Sequence, residues 1–198
     1  MKLPLPRSPS VVAAAVLAAA TSMRSSRASP DPFLSPTRRT MSARQGFEIS
    51  SMRDRVSEAE WNARLDLAVE RGCDGVEPDN IDGYQNNSGF PLSYADQLNY
   101  NRWLAAEAHA RRLSIGLKND LEQVPDLLAD YDWALNEECF SYHECELLLP
   151  FIAAGKAVFG VEYELDPADF CPQANAMHFS FLRKNWELDA WRSDCREP

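Results

Sequence analysis

The sequence predicts an α/β protein, and three features of residues 46–198 indicate this class. Short apolar runs alternate with segments in which apolar residues recur at helical spacing. Several of the helical segments begin at a Ser with an acidic residue three positions later, which is the arrangement of a capping box. Acidic residues follow the ends of four apolar runs. Alternating strands and helices predict right-handed βαβ units around a parallel sheet.

The first helix and strand of this region are predicted between residues 57 and 79. Ser57 is the expected N-cap, Glu60 follows three residues later, and Gly72 is the expected stop. The strand at 73–79 contains Pro78, which cannot donate to a sheet ladder and therefore marks its end. The apolar face of the helix is expected to consist of Trp61, Leu65, Ala68 and Val69.

The second helix is predicted from the N-cap Ser93, with Asp96 as its partner, to about Arg111. The run at 113–117 then reads as a strand that ends in Lys118, Asn119 and Asp120. A short helix around 123–129 and a strand at 133–135 follow. The strand at 133–135 ends in Asn136, Glu137 and Glu138.

A third capping box is predicted at Ser141 and Glu144, opening a helix that Gly155 closes. A strand at 157–161 follows, and a helix near 169–177 and a strand at 178–182 complete the regular part of the chain. The buried face of the helix before Gly155 is expected to contain Leu147, Leu148, Phe151 and Ile152.

Four acidic residues, Asp79, Asp120, Glu137 and Glu162, stand at the ends of successive predicted strands. Parallel strands end at one edge of a sheet, where α/β enzymes place their chemistry, so we expect a shared acidic cleft. Two carboxyl groups facing a sugar can cleave a glycosidic bond. The same acids could bind a hard cation, but no calcium-type loop supports that reading. Motifs for nucleotide binding, serine hydrolysis and zinc proteolysis are absent from the sequence.

Residues 1–45 differ in composition from the rest of the chain. They hold seven basic residues and one acidic residue, whereas the remainder holds 13 basic and 29 acidic residues. Lys2 and Arg7 precede an apolar run at 11–20 that is typical of a secretory signal. Residues 1–22 are therefore predicted as a signal peptide of a secreted protein, the alternative being an organelle transit peptide. The Pro-containing segment 23–45 is predicted as a disordered linker.

The acidic balance of residues 46–198 disfavours nucleic acid as a partner, since phosphate binding needs clustered Lys and Arg. The five cysteines form no CxxC pair and no cluster with histidine, so no metal site is predicted. In a secreted protein, Cys139 with Cys145 and Cys171 with Cys195 are candidate disulfides, and Cys73 is left buried in a strand. In a cytosolic protein all five are simply small core residues.

Five stretches of the sequence carry a specific pattern. They are GCDGVEPDNIDGY at 72–84, GFPLSYADQLNYNRWL at 89–104, LSIGLKND at 113–120, NEECF at 136–140 and PFIAAGKAVFGVEY at 150–163. In these stretches the chain resembles the endo-α-1,4-polygalactosaminidase family, glycoside hydrolase family 114. The resemblance runs from about residue 47 to 195, and it implies a TIM-type (β/α) barrel.

The resemblance also implies a site. Asp79 and Glu137 match the catalytic pair, with Asp79 as nucleophile and Glu137 as general acid/base of a retaining mechanism, or with the two roles exchanged. The groove for an α-1,4-linked, galactosamine-containing polymer would be lined by Glu77, Asn80, Asp82, Tyr84, Lys118, Asp120, Glu162 and Tyr163. Three of these residues have an alternative structural role: Glu77 could satisfy polar groups of the barrel, Lys118 could pair with Asp120, and Tyr163 could belong to the core.

The resemblance implies no cofactor, and Tyr84, Phe90 and Phe140 are the aromatic residues expected to stack on sugars. A full barrel needs about 200–250 residues. Residues 46–198 contain only about five convincing βα units, so an incomplete barrel without its first three strands is predicted. Open sheet edges invite self-association. The alternative function is therefore a non-catalytic carbohydrate-binding protein or a truncated remnant of such an enzyme.

Overall fold

The computed structural model describes residues 41–42, 58–87, 89 and 91–196. In chain order the elements are β1 (Met41–Ser42), α1 (Glu58–Glu70), β2 (Gly75–Glu77), α2 (Tyr94–Ala110), β3 (Ser114–Lys118), α3 (Val124–Leu127), β4 (Trp133–Glu137), α4 (Leu149–Ala153), β5 (Ala157–Glu162), α5 (Pro167–Ala176), β6 (Ser180–Lys184) and β7 (Arg192–Asp194). Short 3-10 helices, Gly83–Gln85, Leu121–Gln123 and Cys145–Leu148, lie in the loops that follow β2, β3 and β4.

The strands form one sheet whose spatial order follows the sequence from β1 to β7. The first six strands are parallel, and β7 pairs antiparallel with β6. Each βα unit returns the chain to the next strand position, as right-handed crossovers require. Within the described residues β1 and β7 do not pair, so the sheet stays open and does not close into a barrel. The predicted fold class, an incomplete TIM-type barrel, is confirmed.

Two strands were not predicted. Met41–Ser42 pairs with β2, with Met41 opposite Val76, although this position fell within the predicted linker. A two-residue strand carries no periodic pattern, so only its pairing partner reveals it. Strand β7 consists of Arg-Ser-Asp, and its polar composition likewise gave no signal. The rest of the linker and the predicted signal peptide lie outside the described residues.

The two faces of the sheet are covered differently. The larger apolar core lies between the sheet and the helices and includes Leu117 and Ala134 from the strands. A smaller, separate apolar cluster consists of Leu135, Phe159, Val161 and Tyr163, which pack together. Because side chains alternate along a strand, Leu135 points away from the face that carries Ala134. The second cluster therefore lies on the concave face, and the charged side chains described below continue from it.

The capping prediction holds at one helix and fails at another. At α2 the Ser93 hydroxyl accepts from the amide of Asp96, and the Asp96 carboxylate accepts from the amide of Ser93. At the third predicted box, Ser141 instead donates to the Glu162 carboxylate at 2.6 Å. The helical segment starts later, at Cys145, without a side-chain cap. A charged acceptor competes successfully for the hydroxyl because charge-assisted hydrogen bonds are the stronger ones.

Burial corrects two further positions. Val69 and Leu147, both expected on buried helix faces, are exposed. The remaining members of those faces are buried or partly buried, so the errors lie at the boundary of each apolar stripe. Two disulfides, Cys139–Cys145 and Cys171–Cys195, pair the cysteines that sequence analysis named as candidates. Cys73 is buried and belongs to neither disulfide, and it lies in the loop before β2 instead of in the strand.

Candidate functional site

Four charged side chains meet where β2, β3 and β4 end. Lys118, the last residue of β3, is only 3% exposed. Its ammonium lies 2.8 Å from Asp79 Oδ1, 3.1 Å from Glu137 Oε2 and 3.7 Å from Glu77 Oε1. Glu77 is buried, whereas the side chains of Asp79 and Glu137 are 28% and 24% exposed. We call these four residues the Lys118 cluster. Glu77 and Lys118 are its buried members, and Asp79 and Glu137 are the members that are open to a ligand.

The strand register builds this arrangement. Val76 of β2 pairs with Ile115 of β3, and continuing that offset places Asp79 beside Lys118. Glu77 and Asp79 are two residues apart, so both face the same side of the sheet as Lys118. The cluster is thus a direct consequence of three parallel strands ending at one edge.

The charges of the Lys118 cluster depend on one another. Burial by itself would lower the pKa of Lys118, but Glu77, Glu137 and Asp79 outweigh it and raise that pKa well above its ordinary value. Burial raises the pKa of Glu77 from 4.5 to about 7; Lys118 opposes the rise, and Asp79 and Glu137 add to it. A proton on Glu77 therefore comes and goes near neutral pH, while the ammonium stays charged.

Glu137 is held by further donors. The Tyr163 hydroxyl donates to Glu137 Oε1 at 2.7 Å, and Asn119 Nδ2 donates to Oε2 at 3.4 Å. Asn119 Oδ1 in turn accepts from the Glu137 amide at 2.9 Å. Asn119 was not among the predicted site residues, although it stands between Lys118 and Asp120 at a strand end. Its position next to two predicted residues was the signal that could have found it.

Backbone strain is also found at this edge. Four non-glycine residues within three positions of a strand end adopt positive φ: Asn80 at 57°, Asn119 at 55°, Asp120 at 29° and Glu138 at 66°. Asn and Asp tolerate this conformation better than other residues, but Glu does not. Such strain persists only where surrounding contacts hold it, and it is common at functional sites. Three successive strand ends are therefore bent to aim their side chains.

Asp120 joins a different group of residues. Its Oδ2 accepts from Asn101 Nδ2 at 2.8 Å. In the described part of the chain the ion-pair partners of Lys118 are Glu77, Asp79 and Glu137, so the suggested Lys118–Asp120 pair is replaced by the Lys118 cluster. Burial, and then the nearby Asp82 carboxylate, raise the pKa of Asp120 to about 7. Asp82 is buried as well, and Tyr84 is partly exposed, with its hydroxyl donating to Glu122 at 3.2 Å.

Amide side chains surround Asp120. Asn101 Nδ2 also donates to the Ile81 carbonyl, its Oδ1 accepts from Gln97, and Tyr131 donates to its backbone carbonyl. Asn101, Gln97 and Tyr131 are fully buried. We call this group the Asn101 network; it consists of Gln97, Asn101, Asp120, Gln123 and Tyr131. It ties α2 to the loop after β3.

Two predicted groove residues have other contacts. Glu162 is fully buried, and its oxygens accept from the Phe140 amide at 2.9 Å and from Ser141 at 2.6 Å. It therefore holds the loop after β4, and its predicted place in the groove finds no support. Phe140 is buried against Phe170 and Phe181, so it does not offer a face to a sugar. Of the other two aromatic candidates, Tyr84 is partly exposed and Phe90 lies outside the described residues.

Asn80 is exposed, and its amide donates to Asp79 Oδ1 at 3.0 Å. Tyr163 is buried but reaches Glu137, so it belongs both to the concave-face cluster and to the site. Among the described residues, no group of three or more His, Cys, Asp or Glu side chains is arranged to hold a metal ion. No helix in the described part of the chain is long and apolar enough to cross a membrane.

The sequence model of glycoside-hydrolase family GH114 matches residues 50–198. The chain belongs to this glycoside hydrolase family. A family GH114 assignment agrees with the resemblance found in the five sequence stretches.

The chain is similar to Ega3 of Aspergillus fumigatus, solved in complex with galactosamine, with 37% identity and a TM-score of 0.66 over 72% of this chain and 63% of that one. It also resembles the glycoside hydrolase domain of PelA from Pseudomonas aeruginosa, with a TM-score of 0.50 over 71% of this chain and 65% of that one. At 13% identity this second likeness concerns the fold alone.

An uncharacterized protein of Deinococcus radiodurans is 32% identical over 122 residues, which are 54% of this chain and 40% of that protein. The chain thus spans less than half of this curated relative and under two thirds of the Ega3 chain.

Proposed function

We propose that this GH114 chain is a retaining glycosidase that cleaves α-1,4 linkages in a galactosamine-containing polysaccharide. One observation carries the proposal: two partly exposed carboxylates, Asp79 and Glu137, contact the same buried ammonium of Lys118. A glycosidase needs two carboxyl groups held at a fixed spacing across the sugar. A shared rigid contact supplies that spacing.

The spacing favours retention. Asp79 Oδ1 and Glu137 Oε2 cannot be further apart than their two distances to Nζ laid end to end, about 6 Å. Retaining enzymes place their carboxyls about 5–5.5 Å apart, and inverting enzymes about 6.5–9.5 Å. The oxygens of Asp79 and Glu137 that face Lys118 are thus close enough together for the retaining arrangement.

We assign Asp79 as the nucleophile and Glu137 as the general acid/base. Lys118 and the Asn80 amide both donate to Asp79 Oδ1, which fixes the orientation of the carboxylate and leaves Oδ2 to attack the anomeric carbon. Glu137 would protonate the leaving oxygen and then deprotonate the incoming water. Tyr163 and Asn119 fix the orientation of Glu137 for both steps. The exchanged assignment remains the alternative.

A cationic polymer suits the charge of the chain. Residues 46–198 hold 13 basic and 29 acidic residues, and the Lys118 cluster contains three carboxylates for one ammonium. Deacetylated galactosamine carries an ammonium that such a field attracts. The similarity to Ega3, whose structure holds galactosamine, supports the same substrate class. Secretion through the predicted signal at residues 1–22 would bring the enzyme to an extracellular polysaccharide.

The test is hydrolysis of α-1,4-linked galactosamine oligomers by the full chain and by Asp79→Asn and Glu137→Gln. Each variant should lose about a thousandfold or more of kcat/KM with an unchanged melting temperature. In a variant with a small side chain at Asp79, azide should take the place of the carboxylate and restore turnover. A product of inverted anomeric configuration would then identify Asp79 as the nucleophile. Hydrolysis that persists in both variants would show that another pair of groups acts.

The second candidate is a carbohydrate-binding protein without hydrolytic activity. The open sheet favours it, because the described strands surround only part of a barrel rim. Binding of the oligomers without any product release by the wild-type chain would support it. The open edge could also pair with a second copy; a mass that rises with concentration in sedimentation experiments would reveal such self-association.

A further inference from the structure

An exposed tryptophan lies next to the candidate catalytic pair. Trp186, in the loop between β6 and β7, stacks on Tyr163 with ring centroids 4.1 Å apart and planes 16° from parallel. The hydroxyl of the same tyrosine donates to Glu137 at 2.7 Å. Only one aromatic ring therefore separates the indole from the proposed acid/base.

The indole is ordered by its contacts yet remains open to solvent. Its N–H donates to the carboxylate of Glu164, and Tyr163 covers one face. The side chains of Lys184 and Asn185 fasten the loop to Asp189 at 2.5 and 3.1 Å. Trp186 nevertheless stays 46% exposed, so the face turned away from Tyr163 is free within the described part of the chain.

We propose that this open face of Trp186 stacks on a galacto-configured amino sugar of the substrate, forming a subsite beside the cleaved bond. The proposal rests on the proposed function and names the residue that recognises the sugar ring. Tyr163 itself is buried, so it supports the platform and does not offer a face of its own.

The chemistry of the ligand fits such a platform. A galacto-configured ring presents the hydrogens of C3, C4 and C5 on one side, which gives it an apolar face. These polarised C–H groups are attracted by the negative face of an aromatic ring. The neighbouring Glu164 carboxylate, bound at the edge of the indole, is exposed and can accept from the C2 ammonium of the same sugar. Stacking and charge would thus select a cationic sugar of this configuration.

A second tryptophan supplies a matched control. Trp191 is also 46% exposed and lies in the same loop region before β7. The Arg183 guanidinium lies 6.0 Å from the centroid of its ring. Within the described residues Trp191 does not stack on Tyr163, so the two tryptophans are equally exposed but only Trp186 is connected to the site.

The experiment measures binding of deacetylated α-1,4-galactosamine oligomers by calorimetry in a Glu137→Gln background, where Gln still accepts from Tyr163. Trp186→Ala should weaken binding about tenfold, Trp186→Phe should weaken it less, and Trp191→Ala should match the parent. Glu164→Gln keeps an acceptor for the indole and should weaken binding of the deacetylated oligomers but not of N-acetylated ones.

The outcomes separate the two proposals. Equal affinities for the parent and both Trp186 variants would overturn the subsite while leaving the proposed hydrolysis in place. Equal losses of affinity in Trp186→Ala and Trp191→Ala would also overturn it, because the loss would then follow from removing any exposed indole and not from the position of Trp186. If Trp186→Ala does not fold, Trp186→Phe decides by the same criterion. A parent chain that binds none of the oligomers would overturn both proposals.

Discussion

The Lys118 cluster and the Asn101 network lie at the same edge of one sheet, yet they are built from different groups. The cluster combines three carboxylates with one ammonium, and two of its members are partly exposed. The network is made mainly of amides, and its members are buried. The cluster joins the ends of β2, β3 and β4, whereas the network joins α2 to the loops that follow β2 and β3. The exposure of charged groups is therefore what distinguishes a site for chemistry from a set of contacts that fastens the scaffold.

This difference in composition has an energetic reason. Amides can satisfy one another without net charge, so a closed network costs little to bury when its hydrogen bonds are made. Carboxylates around one ammonium leave a charge imbalance that burial alone would penalise. Such an arrangement persists where function requires it. The positive φ angles of Asn80 and Asn119 are a second unfavourable feature at the same strand ends.

The largest effect on stability is expected from Lys118→Met. The substitution keeps the length of the side chain but leaves Glu77, Asp79 and Glu137 without their shared ammonium. Breaking a buried ion pair from one side should lower the free energy of unfolding by about 3–5 kcal/mol at neutral pH. Urea denaturation measures it, and a loss below about 1 kcal/mol would show that the cluster is not held by charge.

A smaller loss is expected from Asn101→Leu in the amide network. The change removes the donor to Asp120 and the acceptor for Gln97, so buried polar groups are left unpaired. We expect the free energy of unfolding to fall by about 2–3 kcal/mol, with hydrolysis by the folded protein unchanged. Urea denaturation and a rate assay are run on the same preparation. A variant that is as stable as the wild type would contradict the role of the network.

A third expected effect concerns the pH dependence of stability and not the stability at one pH. The pKa of Glu77 is raised from 4.5 to about 7, so the folded state retains a proton there that the unfolded chain releases. The stability that the protonated Glu77 contributes is complete below pH 4.5 and is lost as the pH rises towards 7. Glu77→Gln cannot titrate at this position. As the pH rises between these values, the wild type should therefore lose up to about 3 kcal/mol more of its free energy of unfolding than the variant loses.

Urea denaturation at several pH values compares the two slopes. Asp120→Asn is the matched variant in the other group, because burial raises the pKa of Asp120 to about 7 as well. Each variant alone should reduce the slope in part. Two variants with the wild-type slope would mean that neither carboxyl takes up its proton on folding.

The sequence was most informative where a local pattern matches a local structure. Ser93 and Asp96 predicted the start of α2, and apolar runs located the parallel strands within a few residues. The ends of those strands were also readable, since polar residues follow each run. These features are determined by neighbours in the chain, and for that reason they need no knowledge of the fold.

Contacts between distant segments could not be predicted in the same way. Glu162 stands at a strand end like Asp79, but it turns to the Phe140 amide and Ser141. The pairing of Met41 with Val76 and the stacking of Trp186 on Tyr163 also depend on the assembled sheet. The sequence therefore indicated which residue types lie at the sheet edge, but only the register decides which of them meet.

The most direct test compares two aspartates at this edge, by measuring product release from one α-1,4-galactosamine oligomer. Asp79 contacts Lys118 in the partly exposed cluster, whereas Asp120 contacts Asn101 in the buried network. We predict that Asp79→Asn abolishes product release in a folded protein, and that Asp120→Asn retains most of it. Equal losses in the two variants, or release that survives Asp79→Asn, would contradict the assignment of the Lys118 cluster as the catalytic centre.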